Sequence, residues 1–180
     1  MKGLYPPVEQ WTVGEGFLQA TVRGVRRAGQ FERESGAFWL GKREANARVS
    51  ALVFPHGPGV EEARGLWRVS PEVFGAITRW AVPRNLCLLA VAHTHIGGTK
   101  PFLSWTDRTF GVRIPGILAI VIGNGGKEHN YLRWGWYVFE EDDYRQMLRP
   151  EITKRLRLHP SQHFEIWLAE ESSVQILEVR

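Results

Sequence analysis

A chain of 180 residues with 43% hydrophobic and 23% charged content can bury one sizeable core but hardly two, so a single domain over residues 1–180 is expected. No window approaches the roughly 18 uninterrupted apolar residues of a membrane helix, and no secretory pattern opens the chain, so a cytoplasmic protein with no membrane partner is expected. The net charge of +4 is scattered apart from "RGVRR" at 23–27 and "KRLRLH" at 154–159; with no basic stripe interleaved with aromatics, solvated helix faces explain these runs better than nucleic acid does.

In chain order, Val13, Phe17, Ala20, Thr21, Gly24 and Ala28 recur at helical spacing and predict a helix over 13–28. "GAFWLG" at 36–41 and the alternating "ARVSALVF" at 47–54 predict a β-hairpin, followed by a loop, "PHGPGVEEARG", over 55–65. "SPEVFGAITRWAV" predicts a second helix, with Ser70 as N-cap and Pro71 at its first position. "LCLLAVAHTH", 86–95, is a continuous apolar run of the kind found in a strand buried on both faces, closed by His93 and His95. "SWTDRTFG" predicts a short helix entered at Ser104, and "GILAIVIG" and "YLRWGWYVFE" predict two strands flanking the turn "NGGKEHN". Trp39, Trp134 and Trp136 fall in strand-like runs, where core packing is expected. A helix and a hairpin, the latter in "HFEIWLAEESSVQILEVR", are expected over 141–180. Alternating helices and strands without repeats indicate one α/β or α+β domain.

The chemistry gathers around the end of the apolar run. Alternate side chains of a strand share a face, so His93 and His95 have Cβ atoms about 7 Å apart and both imidazoles can reach one ion. Residues three apart on a helix lie together, so Asp107 can turn to the same point from a helix capped by Ser104. Alone, either histidine reads as a satisfied polar group, and Ser104 with Asp107 as a plain helix cap. Together, two imidazoles and a carboxylate make a common catalytic zinc set with the fourth position left to water. Such a water is helped by a carboxylate that carries its proton, and Glu34 in "RESGAFWLG" is the candidate; alone it is an exposed loop charge.

Glu34 ahead of "SGAFWLG", "HTH" at 93–95, then Ser104 and Asp107 resemble the JAMM motif of MPN-domain metalloproteases. The resemblance implies a single MPN-like domain: a mixed central β-sheet flanked by helices with cytidine-deaminase-like layering, its catalytic core over about residues 13–140. It also implies Zn2+ on His93, His95 and Asp107, proton transfer by Glu34, and oxyanion stabilisation by Ser104. The implied activity is hydrolysis after the C-terminal glycine of a ubiquitin-like protein or its conjugates, with activating and conjugating enzymes of the same system as further partners. "PHGPG" at 55–59 resembles a Gly-Pro loop of bacterial members. The chain departs from the family pattern twice: Ile96 stands where proline usually follows HxH, and eight residues, 96–103, separate His95 from Ser104, one more than usual. Two alternatives stay open: a JAMM peptidase that trims a sulfur-carrier protein or small peptide, and a noncatalytic interaction module. A zinc deaminase needs a PCxxC-type pair, which Cys87, the only cysteine, cannot supply.

Overall fold

The computed structural model describes residues 7–97 and 101–177. In chain order the elements are β1 (Gln10–Gly14), α1 (Phe17–Gly29), β2 (Gly36–Lys42), β3 (Asn46–Pro55), β4 (Val60–Ala63), β5 (Leu66–Val69), α2 (Pro71–Ala81), β6 (Cys87–Thr94) and α3 (Trp105–Phe110). There follow β7 (Leu118–Ile122), β8 (Gly135–Glu140), β9 (Asp143–Gln146), α4 (Arg149–Arg155), β10 (Leu156–His159), β11 (Glu165–Ala169) and β12 (Val174–Ile176). Ten strands form one mixed sheet in the order β10-β1-β3-β2-β6-β7-β8-β9, with β11 added to β3 and β12 to β11; β4 and β5 form a separate hairpin. The length of β3 allows the branching: its start, Asn46 to Arg48, pairs with β1, and its end, Ala51 to Pro55, pairs with β11.

The alternation of β2 explains the layers. Ala37 and Trp39 face α1 and join Phe17, Val22 and Val25 in the larger core. Phe38 and Leu40 face the other way, against Val73, Ile77 and Ala81 of α2. The result is an α+β fold with a mixed sheet between helices, as expected. Trp39, Trp134 and Trp136 are buried, and Ser70 accepts the Val73 N–H as the N-cap of α2.

Several element boundaries differ from the sequence reading, each for a local reason. The helix expected from residue 13 starts at Phe17, because Gly16 has φ 83° and separates it from β1. The expected loop 55–65 contains β4, which turns at Gly65 (φ 75°) into β5. The strand expected over 131–140 starts at Gly135, since the Asn130 side chain accepts the Leu132 N–H and winds Tyr131–Arg133 into a 3-10 turn. The basic run 154–159 is only partly helical: Lys154 and Arg155 end α4, and Leu156–His159 is an edge strand. The C-terminal hairpin is β11 with β12, and it extends the main sheet.

Candidate metal centre

The site lies where β6 leaves the sheet. His93 is paired on one side with Gly36 of β2 and on the other with Val121 of β7. Thr94 points to the opposite face, where its Oγ1 accepts the Ser35 N–H at 3.0 Å, and its own N–H bonds to the Ser35 carbonyl at 2.8 Å. The strand proper ends at Thr94, yet His95 stays in line because its N–H donates to Ile122 O (3.1 Å) and its carbonyl accepts from Gly125 N–H (2.9 Å). Asn124 and Gly125 meet this demand with left-handed backbone, φ 55° and 60°. Both imidazoles therefore project to one side, as alternation requires.

The third donor comes from α3. This six-residue helix buries none of its own side chains, and a reciprocal cap defines its start: Ser104 Oγ accepts the Asp107 N–H at 3.1 Å, and Asp107 Oδ2 accepts the Ser104 N–H at 2.8 Å. The segment is tied to the sheet by Leu103, which packs with Val121, Tyr137 and Tyr144. Tyr144 also holds it, donating its hydroxyl to Val112 O at 2.6 Å and accepting from Arg108 at its carbonyl. Residues 98–100, in the centre of the loop joining β6 to this segment, lie outside the described residues.

The three side chains meet. The Nε2 atoms of His93 and His95 are 3.1 Å apart, Asp107 Oδ1 is 3.3 Å from the first, and Oδ2 is 3.2 Å from the second. Donors around a tetrahedral ion with bonds of about 2.0–2.1 Å are separated by about 3.3 Å. The triad thus has the spacing and chemistry of a metal-binding group with one coordination position left over. Burial favours neutral Asp107, but its hydrogen bonds to the two histidines, the His93 charge and the Ser104 N–H prevail and hold its carboxyl well below the usual range. Burial pulls the His95 imidazole down, and its bond to Asp107 with the charges of Glu34 and Asp107 outweighs that, leaving it raised. An acidic, electron-rich cluster of this kind suits a cation.

Glu34 stands beside the triad and is not one of its members. It is buried (7% exposed), the residue before Ser35 and so next in line with His95 across the β2–β6 edge. Its N–H donates to Ala63 O of the β4–β5 hairpin at 3.0 Å, and its Oε1 accepts the Ile96 N–H at 3.2 Å. Proline at position 96 would have no N–H to give, so the departure at Ile96 supplies a bond that helps orient this carboxylate.

Two aromatic contacts were invisible in the sequence. Trp67 of β5 lies parallel to the His93 ring, at 6.3 Å between centroids and 10° between planes. Phe102 meets the His95 ring edge-on at 5.6 Å. Trp67 falls just past the segment read as a loop, in "LWRV", a stretch too short and too little alternating to read as a strand. Phe102, Trp105 and Phe110 are exposed beside the triad.

No family model matches the sequence, and no curated protein matches it significantly. Similarity appears in solved structures. A Desulfitobacterium hafniense protein solved in solution matches with TM-score 0.57 at 12% identity, over 84% of this chain and 94% of that one. A Salinibacter ruber protein, also solved in solution, matches with TM-score 0.53 at 16% identity over the same shares, 84% and 94%. A JAB1/MPN domain protein from Archaeoglobus fulgidus matches with TM-score 0.46 at 14% identity, over 82% of this chain and 97% of that one. At such identities the first two likenesses establish the fold alone. Among the described residues no helix is long and apolar enough to cross a membrane.

Proposed function

We propose that the chain is a JAMM-type zinc metalloprotease that hydrolyses the amide or isopeptide bond after the C-terminal glycine of a ubiquitin-like protein. The observation that carries this reading is the convergence of His93, His95 and Asp107 on one point beside the buried carboxylate of Glu34. A zinc ion in the triad would polarise the scissile carbonyl and acidify a water. Glu34 takes the proton of the attacking water and delivers it to the leaving amine; with Oε1 engaged by Ile96, Oε2 is the atom available for it. Ser104 Oγ accepts from Asp107, so its own proton remains free to be donated to the developing oxyanion. The exposed Phe102, Trp105 and Phe110 support a protein substrate, since clustered exposed aromatics are a mark of interaction surfaces.

A panel of fusions of a ubiquitin-like protein, differing only in the residue before the cleaved bond, tests the reading. Glycine lets an extended chain lie flat where any Cβ would press on the ligands. Replacing it by leucine is expected to lower kcat/KM by well over tenfold, above roughly 1.4 kcal/mol. Equal cleavage of both would make the chain a broad peptidase acting on small peptides. A zinc-loaded protein that cleaves neither would be a noncatalytic module.

A further inference from the structure

Resting on the metal centre of that reading, we propose that Trp67 is a positioning residue for His93: its indole, parallel to the imidazole and offset from it, bounds the ring on one side and holds it in the plane that aims Nε2 at the ion. Metal-binding histidines almost always have the other ring nitrogen tied by a hydrogen bond, which fixes tautomer and orientation. Among the described residues the side-chain hydrogen bonds and ion pairs of His93 all involve Nε2, toward His95 and Asp107, and none ties its Nδ1. Two ring contacts flank the imidazole, His95 tilted at 5.0 Å and Trp67 parallel at 6.3 Å, and of the two only Trp67 is not itself a candidate ligand.

Three features show that the contact is built into the fold. The indole rests in space that Gly36 leaves open: a Cβ there would come within 2.7 Å of Trp67 Cη2 and Cζ2. Phe38 supports the ring at 5.6 Å between centroids. The Trp67 Nε1–H is buried without a partner among the described residues, so the indole is held by its faces and not by its polar atom. The hairpin that carries Trp67 also binds the backbone of Glu34 through Ala63 O. One small two-stranded unit thus braces a metal ligand and the neighbouring carboxylate together.

The test measures zinc dissociation constants, by competition with a chromophoric chelator, for the parent protein and for Trp67→Phe, Trp67→Leu and Trp67→Met. The cobalt(II)-loaded forms are compared by their visible absorption. Phenylalanine keeps a flat ring and is expected to bind within about threefold of the parent, with the same cobalt spectrum. Leucine and methionine lose it and are expected to bind on the order of tenfold more weakly, with a changed spectrum. Methionine is unbranched and flexible and adapts to an irregular gap, so it keeps the comparison if leucine does not fold. Parent-like zinc binding and spectra in the leucine or methionine variant would overturn the role while leaving the proposed activity intact. A parent protein that binds no zinc would overturn both.

Discussion

His93 and Asp107 face the same point from very different supports. His93 lies in a strand bonded on both sides, to β2 and to β7, within a row of buried neighbours. Asp107 sits in a six-residue helix with no buried side chain, fixed by its own cap and a few ties to Tyr144. A strand in mid-sheet moves only with the sheet, whereas a single capped turn can open locally at small cost. The histidine side is therefore pre-organised by tertiary structure, and the aspartate side by local sequence that a bound ion would clamp.

The harshest way to break the comparison is to remove the rigid half. His93→Ala combined with His95→Ala is expected to abolish zinc binding while the fold persists, since both rings lie at the sheet's end and outside its main clusters. Metal analysis of the purified variant decides it: a full complement of zinc would refute the ligand assignment.

Glu34 shares the rigid support but not the ligand role. Glu34→Gln keeps size and the acceptor for Ile96 while losing the ability to carry a proton. It is expected to retain zinc and lose about 10² to 10⁴ in rate. Activity within about threefold of the parent would end the proton-transfer role.

These same residues show what was readable in advance. The spacings of His93–His95 and Ser104–Asp107 follow from strand and helix periodicity, and the structure does bring both pairs together. The layers were legible too, because β2 and β6 carry strong apolar patterns. What escaped was set by tertiary contact. "QWTVG" becomes β1 only because β3 and β10 flank it, and the polar "DYRQ" becomes β9 only by pairing with β8. Trp67 reaches His93 through a hairpin whose Gly and Glu residues give little strand signal, and Ile96 matters through a backbone N–H that its side chain does not reveal.

Removing the ion should separate the two halves. A ligand present at about 100 times its dissociation constant stabilises a protein by about 2.7 kcal/mol, so chelation is expected to lower stability by about that amount under such loading. Hydrogen exchange locates the loss: the amides of Asp107 and Arg108 should exchange much faster in the metal-free protein, and those of His93 and Thr94 little faster. Equal acceleration at both would mean that the ion holds the sheet's end as well as the helix, against the contrast drawn above.

The smallest effect sharpens the local half alone. Ser104→Ala removes the hydroxyl that accepts the Asp107 N–H but leaves the Ser104 backbone N–H on Asp107 Oδ2. Loss of an N-cap hydroxyl typically costs about 1 kcal/mol. The measurement belongs on the metal-free protein, where no ion masks the helix's own stability. Because no side chain of α3 is fully buried, most of the loss should appear as local opening, read as faster exchange at residues 105–110. The global unfolding midpoint in urea should shift little, since opening this turn does not unfold the sheet. A full 1 kcal/mol drop in global stability, with no local change, would show that α3 is as firmly integrated as β6 and that the two sides of the site do not differ in kind.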